Sequence, residues 1–201
     1  MRYLVFLIIL ISIQSCVQLD FKNEYIEVDY YTLNQPDLES VKNIKVDKSL
    51  MIRNFTVASE FDTEYLFEKI GEHDIEIYQY HRWLELPAPL FTDYVTKRIV
   101  NSETFSSVLQ SGSFAIPDLI IEAHILEIGG YQVDKDSYSI VKMNVNVLKN
   151  NPKKDVLFSK MYEQIHLRNN NKASSIPEAI SIGIAKITDQ LILDIQDNIN
   201  D

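Results

Sequence analysis

Cys16 is the residue whose type and position near the N-terminus most clearly suggest covalent chemistry. It is the only cysteine in the 201 residues, so the chain cannot form an internal disulfide. Its thiol can instead form a thioether, and an unused free thiol is unusual in an exported protein. The residues that precede Cys16 therefore indicate which modification its thiol undergoes.

The N-terminus has the composition of a secretory signal. Arg2 supplies a positive charge, and residues 3–11 are apolar without interruption. This run is only about half of the roughly 20 apolar residues that a membrane-spanning helix needs. The segment is therefore predicted to be a targeting signal rather than a transmembrane anchor.

Residues 13–16, Ile-Gln-Ser-Cys, resemble the lipobox of bacterial lipoproteins. An aliphatic residue stands three positions before the cysteine, and a small residue stands directly before it. The resemblance implies a signal peptide at 1–15, lipidation of Cys16 and a lipidated tether over 16–26. The alternative is an ordinary cleaved signal followed by a chance cysteine, which would leave a lone thiol in an exported protein.

The four histidines are the other candidates for site chemistry. His73, His81, His124 and His166 fall in separate predicted elements without metal-ligand spacing. His124 and His166 could face each other on neighbouring strands, but two imidazoles without a third ligand make a poor metal site. We therefore predict no metal site and no cofactor.

Motifs of the common enzyme classes are missing from the sequence. There is no glycine-rich phosphate loop, no G-x-S-x-G, no H-E-x-x-H and no cysteine pair. The carboxylates alternate with apolar residues or lie in loops, as solvated faces do. A formal net charge of −10 argues against nucleic acid as a partner. The sequence thus predicts a non-enzymatic protein with no catalytic residues.

The first half of the chain contains several β-prone runs and one helix. We expect strands at 26–33 and 49–57, and a hairpin formed by 64–70 and 75–83 around a connection that contains Gly71. Apolar residues at helical spacing predict a helix over 89–100. The segment with Phe105, Val108 and Leu109 could continue this helix or form a short strand, and we favour the strand.

The second half alternates more clearly. Residues 119–125, 141–147 and 156–167 predict three strands of an antiparallel meander. Ser175 and Glu178 form a capping box, in which each side chain would bind the other residue's free backbone amide. A long amphipathic helix is predicted to begin there and to lie across the sheet.

Together these elements predict one α+β domain over 27–201. Its mainly antiparallel sheet would carry two principal helices, one after Trp83 and one at the C-terminus, packed against it. Aromatic residues cluster at 75–83. Such residues belong either to the edge of a core or to an interface, and we take three of them, together with a neighbouring arginine, as candidate partner-binding residues. These are Tyr78, Tyr80, Arg82 and Trp83.

Three short runs and the order of the elements carry a resemblance to a known family. The runs are Tyr30, Tyr31, Thr32 and Leu33; Leu50, Met51, Ile52 and Arg53; and Tyr80, His81, Arg82 and Trp83, the last shortly before Pro87. They resemble the auxiliary lipoproteins of ABC-type transport systems, among them the lipoprotein of the paraquat-inducible operon.

The resemblance implies a non-enzymatic adaptor of an MCE-type lipid transport system in a Gram-negative bacterium. Its partners would be an MCE-type substrate-binding protein with its ABC permease and ATPase, and identical subunits could form a ring. Val17 after the cysteine, in place of aspartate, resembles lipoproteins sent to the outer membrane, where this domain would face the periplasm.

Two alternatives remain open. The leading one is an outer-membrane lipoprotein that itself carries a lipid or other apolar ligand in a pocket between the sheet and the helices. The other is an enzyme acting on cell-wall or lipid substrates, which would need a cluster of polar groups that the sequence does not display.

Overall fold

The computed structural model describes residues 26–36, 44–71 and 73–199. The predicted signal peptide, Cys16 and the tether up to residue 25 lie outside these ranges. The described residues form nine strands, two long helices and a short 3-10 turn at Ser59–Phe61. The strands are β1 (Asp29–Tyr31), β2 (Val46–Ile52), β3 (Thr56–Val57), β4 (Tyr65–Ile70), β5 (Asp74–Trp83), β6 (Phe105–Gln110), β7 (Leu119–Val133), β8 (Asp136–Lys149) and β9 (Val156–Leu167), and the helices are α1 (Pro87–Asn101) and α2 (Ser175–Ile199).

The sheet is organised around its longest strand, β7. On one side, β8 pairs antiparallel with β7 and β9 pairs antiparallel with β8, which confirms the predicted meander. On the other side, β2, β3 and β4 pair with successive stretches of β7, all of them parallel. Beyond these, β6 is parallel to β2, β5 is antiparallel to β4, and β1 is parallel to β5.

The prediction of a mainly antiparallel sheet is wrong, because the sheet is mixed. Five of its eight strand pairings are parallel. Alternation reports which side chains face a core, but it does not report the direction of a neighbouring strand. The expected single strand at 49–57 is also two strands, β2 and β3, that pair with different parts of β7.

Both helices cover the same face of the sheet, as expected for an α+β fold. Helix α2 packs over β8 and β9, while α1 packs against β6 and α2. The core between them is built from alternating strand residues and helix stripes. Its fully buried members include Val145 and Val147 from β8, Phe91 and Ile99 from α1, and Ile180, Ile184 and Ile195 from α2. No helix in the described ranges combines the length and hydropathy needed to cross a membrane.

The start of α2 was predicted correctly, but its side-chain hydrogen bonds were not. Ser175 Oγ accepts a hydrogen bond from Arg168 Nε at 2.9 Å and donates to the Lys172 carbonyl oxygen at 2.8 Å. Glu178 Oε1 accepts from the Asn169 side-chain amide at 3.2 Å. The serine is thus part of a polar network with the preceding loop. Helix α1 begins at Pro87, two residues earlier than expected.

Candidate functional site

The four predicted partner-binding residues all lie on β5, but they are not displayed together. Tyr80 is 44% exposed, whereas Trp83 is only 2% exposed and belongs to the core. Tyr78 and Arg82 are half-buried. Trp83 ends β5 beside Tyr31 of β1, just before the connection to α1, and this position turns its side chain inward. Trp83 therefore offers no free surface to a partner.

Tyr78 belongs to a polar network on the face of the sheet that the helices cover. Its Oη donates to Glu68 Oε2 at 2.6 Å, and Arg168 Nη1 binds the other carboxylate oxygen. Burial raises the pKa of the Tyr78 hydroxyl, and the hydrogen bond to Glu68 raises it further. The network connects β4 and β5 to the loop that leads into α2, which is a structural role.

The face of the sheet turned away from the helices carries a row of apolar residues. Ile77 of β5 pairs with Phe67 of β4, Gly129 of β7 pairs with Ile140 of β8, and Ile140 pairs with Ile165 of β9. Ile77 is 58% exposed and Ile165 is 56% exposed. We term these five residues the apolar belt. They form one row across five strands, on a face that the described helices leave open.

Gly129 gives the belt its continuity. It has a φ of +146°, and a Cβ at this position would lie 2.8 Å from Phe67 Cε2. The Phe67 ring thus lies directly against the β7 backbone. Phe61 from the 3-10 turn stacks on Phe67, with ring centroids 5.4 Å apart and an interplanar angle of 24°.

A cavity of about 240 Å³ opens at this end of the belt. We term it the apolar cleft. Its walls are mostly apolar, and Arg82 lies over the ring of one lining residue, Tyr65, at 4.7 Å from the centroid. The lining residues are Glu60, Phe61, Thr63, Tyr65, Phe67, Lys69, Ile75, Ile77, Glu127, Ile128, Gly130 and Ile140.

Charged residues of alternating sign run beside the belt. Lys69 Nζ is 4.0 Å from a Glu127 carboxylate oxygen, and Lys142 Nζ is 2.7 Å from one of Glu163. The hydrogen bond to Glu163 raises the pKa of Lys142. Because each positive charge has a negative neighbour, this row carries no strong net sign. It therefore does not favour a ligand of either charge.

The cleft offers apolar contact rather than reactive groups. Its lining contains no histidine, cysteine or serine. Across the described ranges, no group of three or more His, Cys, Asp or Glu residues is arranged to hold a metal ion. The idea that His124 and His166 face each other is wrong, because β8 separates their strands. Instead, His124 Nδ1 lies 2.7 Å from Thr56 Oγ1.

Sequence reasoning missed the belt because five separate strands contribute to it. Only the pairing registers bring its members together, and a single sequence does not contain these registers. A partial signal was present in β5, where Ile75 and Ile77 alternate with Glu76. The pair Gly129 and Gly130 was a second signal, because glycine within a strand often marks a close approach of another group.

These features define a class of fold: an α+β domain with two helices on one face of a mixed sheet and an open, partly apolar opposite face. No family model matches the sequence, and no curated protein matches it. Several solved structures are nevertheless similar in fold.

The protein XCC0632 from Xanthomonas campestris, described as a DUF330 protein, has a TM-score of 0.74 at 11% identity over 86% of this chain and 99% of its own. An uncharacterized protein has a TM-score of 0.67 at 8% identity, covering 84% of this chain and 99% of its own. The hypothetical protein CT253 from Chlamydia trachomatis has a TM-score of 0.54 at 8% identity, covering 73% and 96%. At these identities the similarity establishes the fold alone.

Proposed function

We propose that this protein is a lipid-anchored auxiliary component of an MCE-type ABC transport system, and that it acts as an adaptor without catalytic activity. Cys16 would carry the lipid, and the domain would face the periplasm from the outer membrane. The lipobox resemblance supports the anchor, and the resemblance over 30–33, 50–53 and 80–83 supports the transport system.

The observation that carries the adaptor proposal is the open apolar face. Contiguous exposed apolar patches on monomeric proteins often mark a binding site. The residues that line the cleft beneath the exposed Ile75 and Ile77 include no histidine, cysteine or serine. Such a surface suits contact with a protein or a lipid better than catalysis.

Within the predicted contact set, Tyr80 is the residue best placed to reach a partner. Arg82 lies over Tyr65, which lines the cleft, so the exposed part of β5 is continuous with the open face. Tyr and Arg are residue types that often dominate interfaces. We therefore keep Tyr80 and Arg82 as proposed partner contacts and leave out the buried Trp83 and Tyr78, whose hydroxyl is bound to the buried Glu68.

The test is capture of the MCE-type protein of the same organism by the full-length lipidated chain. We expect Tyr80→Ala to weaken capture by about tenfold, as for a residue worth roughly 1.4 kcal/mol, without changing the melting temperature. Phe114→Ala is a matched control, because Phe114 is a fully exposed aromatic residue on the loop between β6 and β7, whereas Tyr80 lies on β5.

Undetectable capture by the wild-type chain would refute the adaptor proposal. A loss with Phe114→Ala but not with Tyr80→Ala would instead move the contact to the loop between β6 and β7. The same preparation should hydrolyse no esters, phosphates or glycans.

The carrier alternative also gains one specific observation, the apolar cleft. Its predicted location was different, since the pocket was expected between the sheet and the helices. That space is filled by buried side chains such as Phe91 and Ile184, which are fully excluded from solvent. An apolar ligand would therefore have to bind on the open face.

A further inference from the structure

We infer that the apolar cleft and belt bind one acyl chain of a phospholipid drawn from the membrane that holds the lipid anchor. This inference rests on the proposed lipid anchoring, but it does not require the MCE partner. It assigns a ligand class and a site to the open face, which the adaptor proposal leaves undefined.

The shape of the site suits one extended hydrocarbon chain. The belt crosses five strands, which corresponds to about 19 Å at the usual spacing of neighbouring strands. A membrane hydrocarbon core is about 30 Å thick, so an acyl chain in one leaflet extends over about 15 Å. The cleft, at about 240 Å³, would hold the end of the chain beside the Phe61 and Phe67 rings.

The hydrogen bonding of the sheet argues against a peptide strand as the occupant. The belt lies on the face of the sheet, and the backbone groups of its three central strands, β4, β7 and β8, are already paired with strands on both sides. An extended peptide lying across this face would find no backbone partners for its own polar groups, which is costly. A hydrocarbon chain has no such groups to satisfy.

Electrostatics also favours a chain without charge along its length. Lys69 with Glu127, and Lys142 with Glu163, form ion pairs beside the belt. Each pair cancels most of its own field, so the row does not select an anionic or cationic segment of a partner protein. The apolar side chains are left as the main source of attraction.

The direction of β1 sets the side from which the chain enters the sheet. β1 is parallel to β5, with Asp29 opposite His81, so the chain before Asp29 comes from the end of β5 that carries Ile75 and Ile77. Nine residues separate Cys16 from Ile26, and the ten Cα-to-Cα steps between the two can span at most about 35 Å. A lipid on Cys16 would thus hold Ile26, where the described part of the chain begins, within that distance of the membrane surface.

The test uses the full-length lipidated protein reconstituted in vesicles of phosphatidylethanolamine and phosphatidylglycerol. A trace phosphatidylcholine carries a photoactivatable diazirine at the end of one acyl chain. After irradiation, labelled peptides are mapped by mass spectrometry. We expect the label to concentrate on the segments 61–77 and 138–142, which line the cleft and belt.

The double variant Ile75→Gln and Ile77→Gln should lower this labelling at least fivefold. Both residues are exposed, at 59% and 58%, so the substitutions should leave the fold intact, and a circular dichroism melt checks this. Ile116→Gln is the matched control, because Ile116 is an exposed isoleucine just before Leu119, at the end of β7 opposite to the belt residue Gly129. Labelling of this variant should equal that of the wild type.

Three outcomes would overturn the inference: label spread evenly over the surface, labelling that is unchanged in the double variant, or displacement by free oleate but not by unlabelled phospholipid.

Capture of the MCE-type protein is measured on the same preparations. Capture without cleft labelling refutes the acyl-chain site and leaves the adaptor proposal standing. Cleft labelling without capture supports the site and refutes the adaptor.

Discussion

Arg168 and Glu68 form the most deeply buried ion pair among the residues that the structure describes. Both side chains are almost completely excluded from solvent. Tyr78 donates to the second carboxylate oxygen at 2.6 Å, and Arg168 Nη2 donates to the Lys172 carbonyl oxygen at 2.9 Å. Removing both charges from water offsets much of their attraction. The main effect of the pair is therefore to fix the loop before α2 against β4.

We predict that Glu68→Gln lowers the free energy of unfolding by about 3 kcal/mol, because the guanidinium of Arg168 would stay buried without its countercharge. Urea unfolding at neutral pH, followed by circular dichroism, measures the change. Glu163→Gln is the control. It removes the same type of charge from the solvent-exposed pair with Lys142 and should have little effect. Equal losses in the two variants would show that burial of the ion pair does not matter.

At the scale of the secondary-structure elements, helix α2 covers most of the inner face of the sheet. It packs against β7, β8 and β9 as well as α1. Ile176, Ile180 and Ile184 are each fully buried along it. An amphipathic helix of this kind is stabilised mostly by its packing rather than by intrinsic helix propensity.

We predict that Ile184→Asp destabilises the domain by about 4 kcal/mol or more, because it forces an unpaired charge into this apolar stripe. At roughly 2–4 °C per kcal/mol, the melting temperature should fall by about 8 °C or more. Thermal melting of the full chain measures the fall. Lys186→Asp, at an exposed position two residues along the same helix, should shift the melt far less. An unchanged melt for Ile184→Asp would be inconsistent with a buried position.

The elements could be predicted from the sequence wherever the signal is local. Helix α2 follows from its stripe of isoleucines, the hairpin β4–β5 from its glycine-containing turn, and the strands of the meander from alternation. The parallel pairings of β2, β3 and β4 with β7 could not be predicted. They join segments far apart in the chain, and no local pattern encodes the direction of such a pairing.

The candidate site was less accessible to sequence reasoning than the fold. The aromatic cluster lies on β5, but its sequence could not separate exposed Tyr80 from buried Trp83. Alternation alone does not decide which end of a strand meets a helix and which end remains open. Ile140 and Ile165 belong to the belt because of the register between β8 and β9, and this register is known only from the assembled sheet.

At the scale of the whole molecule, the net charge opposes contact with an anionic membrane, whereas the apolar belt favours contact with its lipids. The chain has a formal net charge of −10, so an anionic membrane surface repels it. Contact of the apolar belt with water is unfavourable until an apolar ligand covers it. Residence at the membrane would therefore depend on the lipid at Cys16, since two or more acyl chains give stable anchoring.

We predict that Cys16→Ala abolishes incorporation of fatty acid, because the chain has no other cysteine that could accept the diacylglyceryl group. Metabolic labelling of cells with radioactive fatty acid, followed by isolation of the protein, measures this. Ser15→Gly is the matched control, since it keeps a small residue before the cleavage site and should retain the label. Without its lipid, the variant should also lose labelling of the cleft by vesicle phospholipid, because the tether no longer holds the open face near a bilayer. Fatty acid retained by the Ala variant would mean that Cys16 is not the attachment site. The direction of β1 would then no longer indicate which side of the domain faces the membrane.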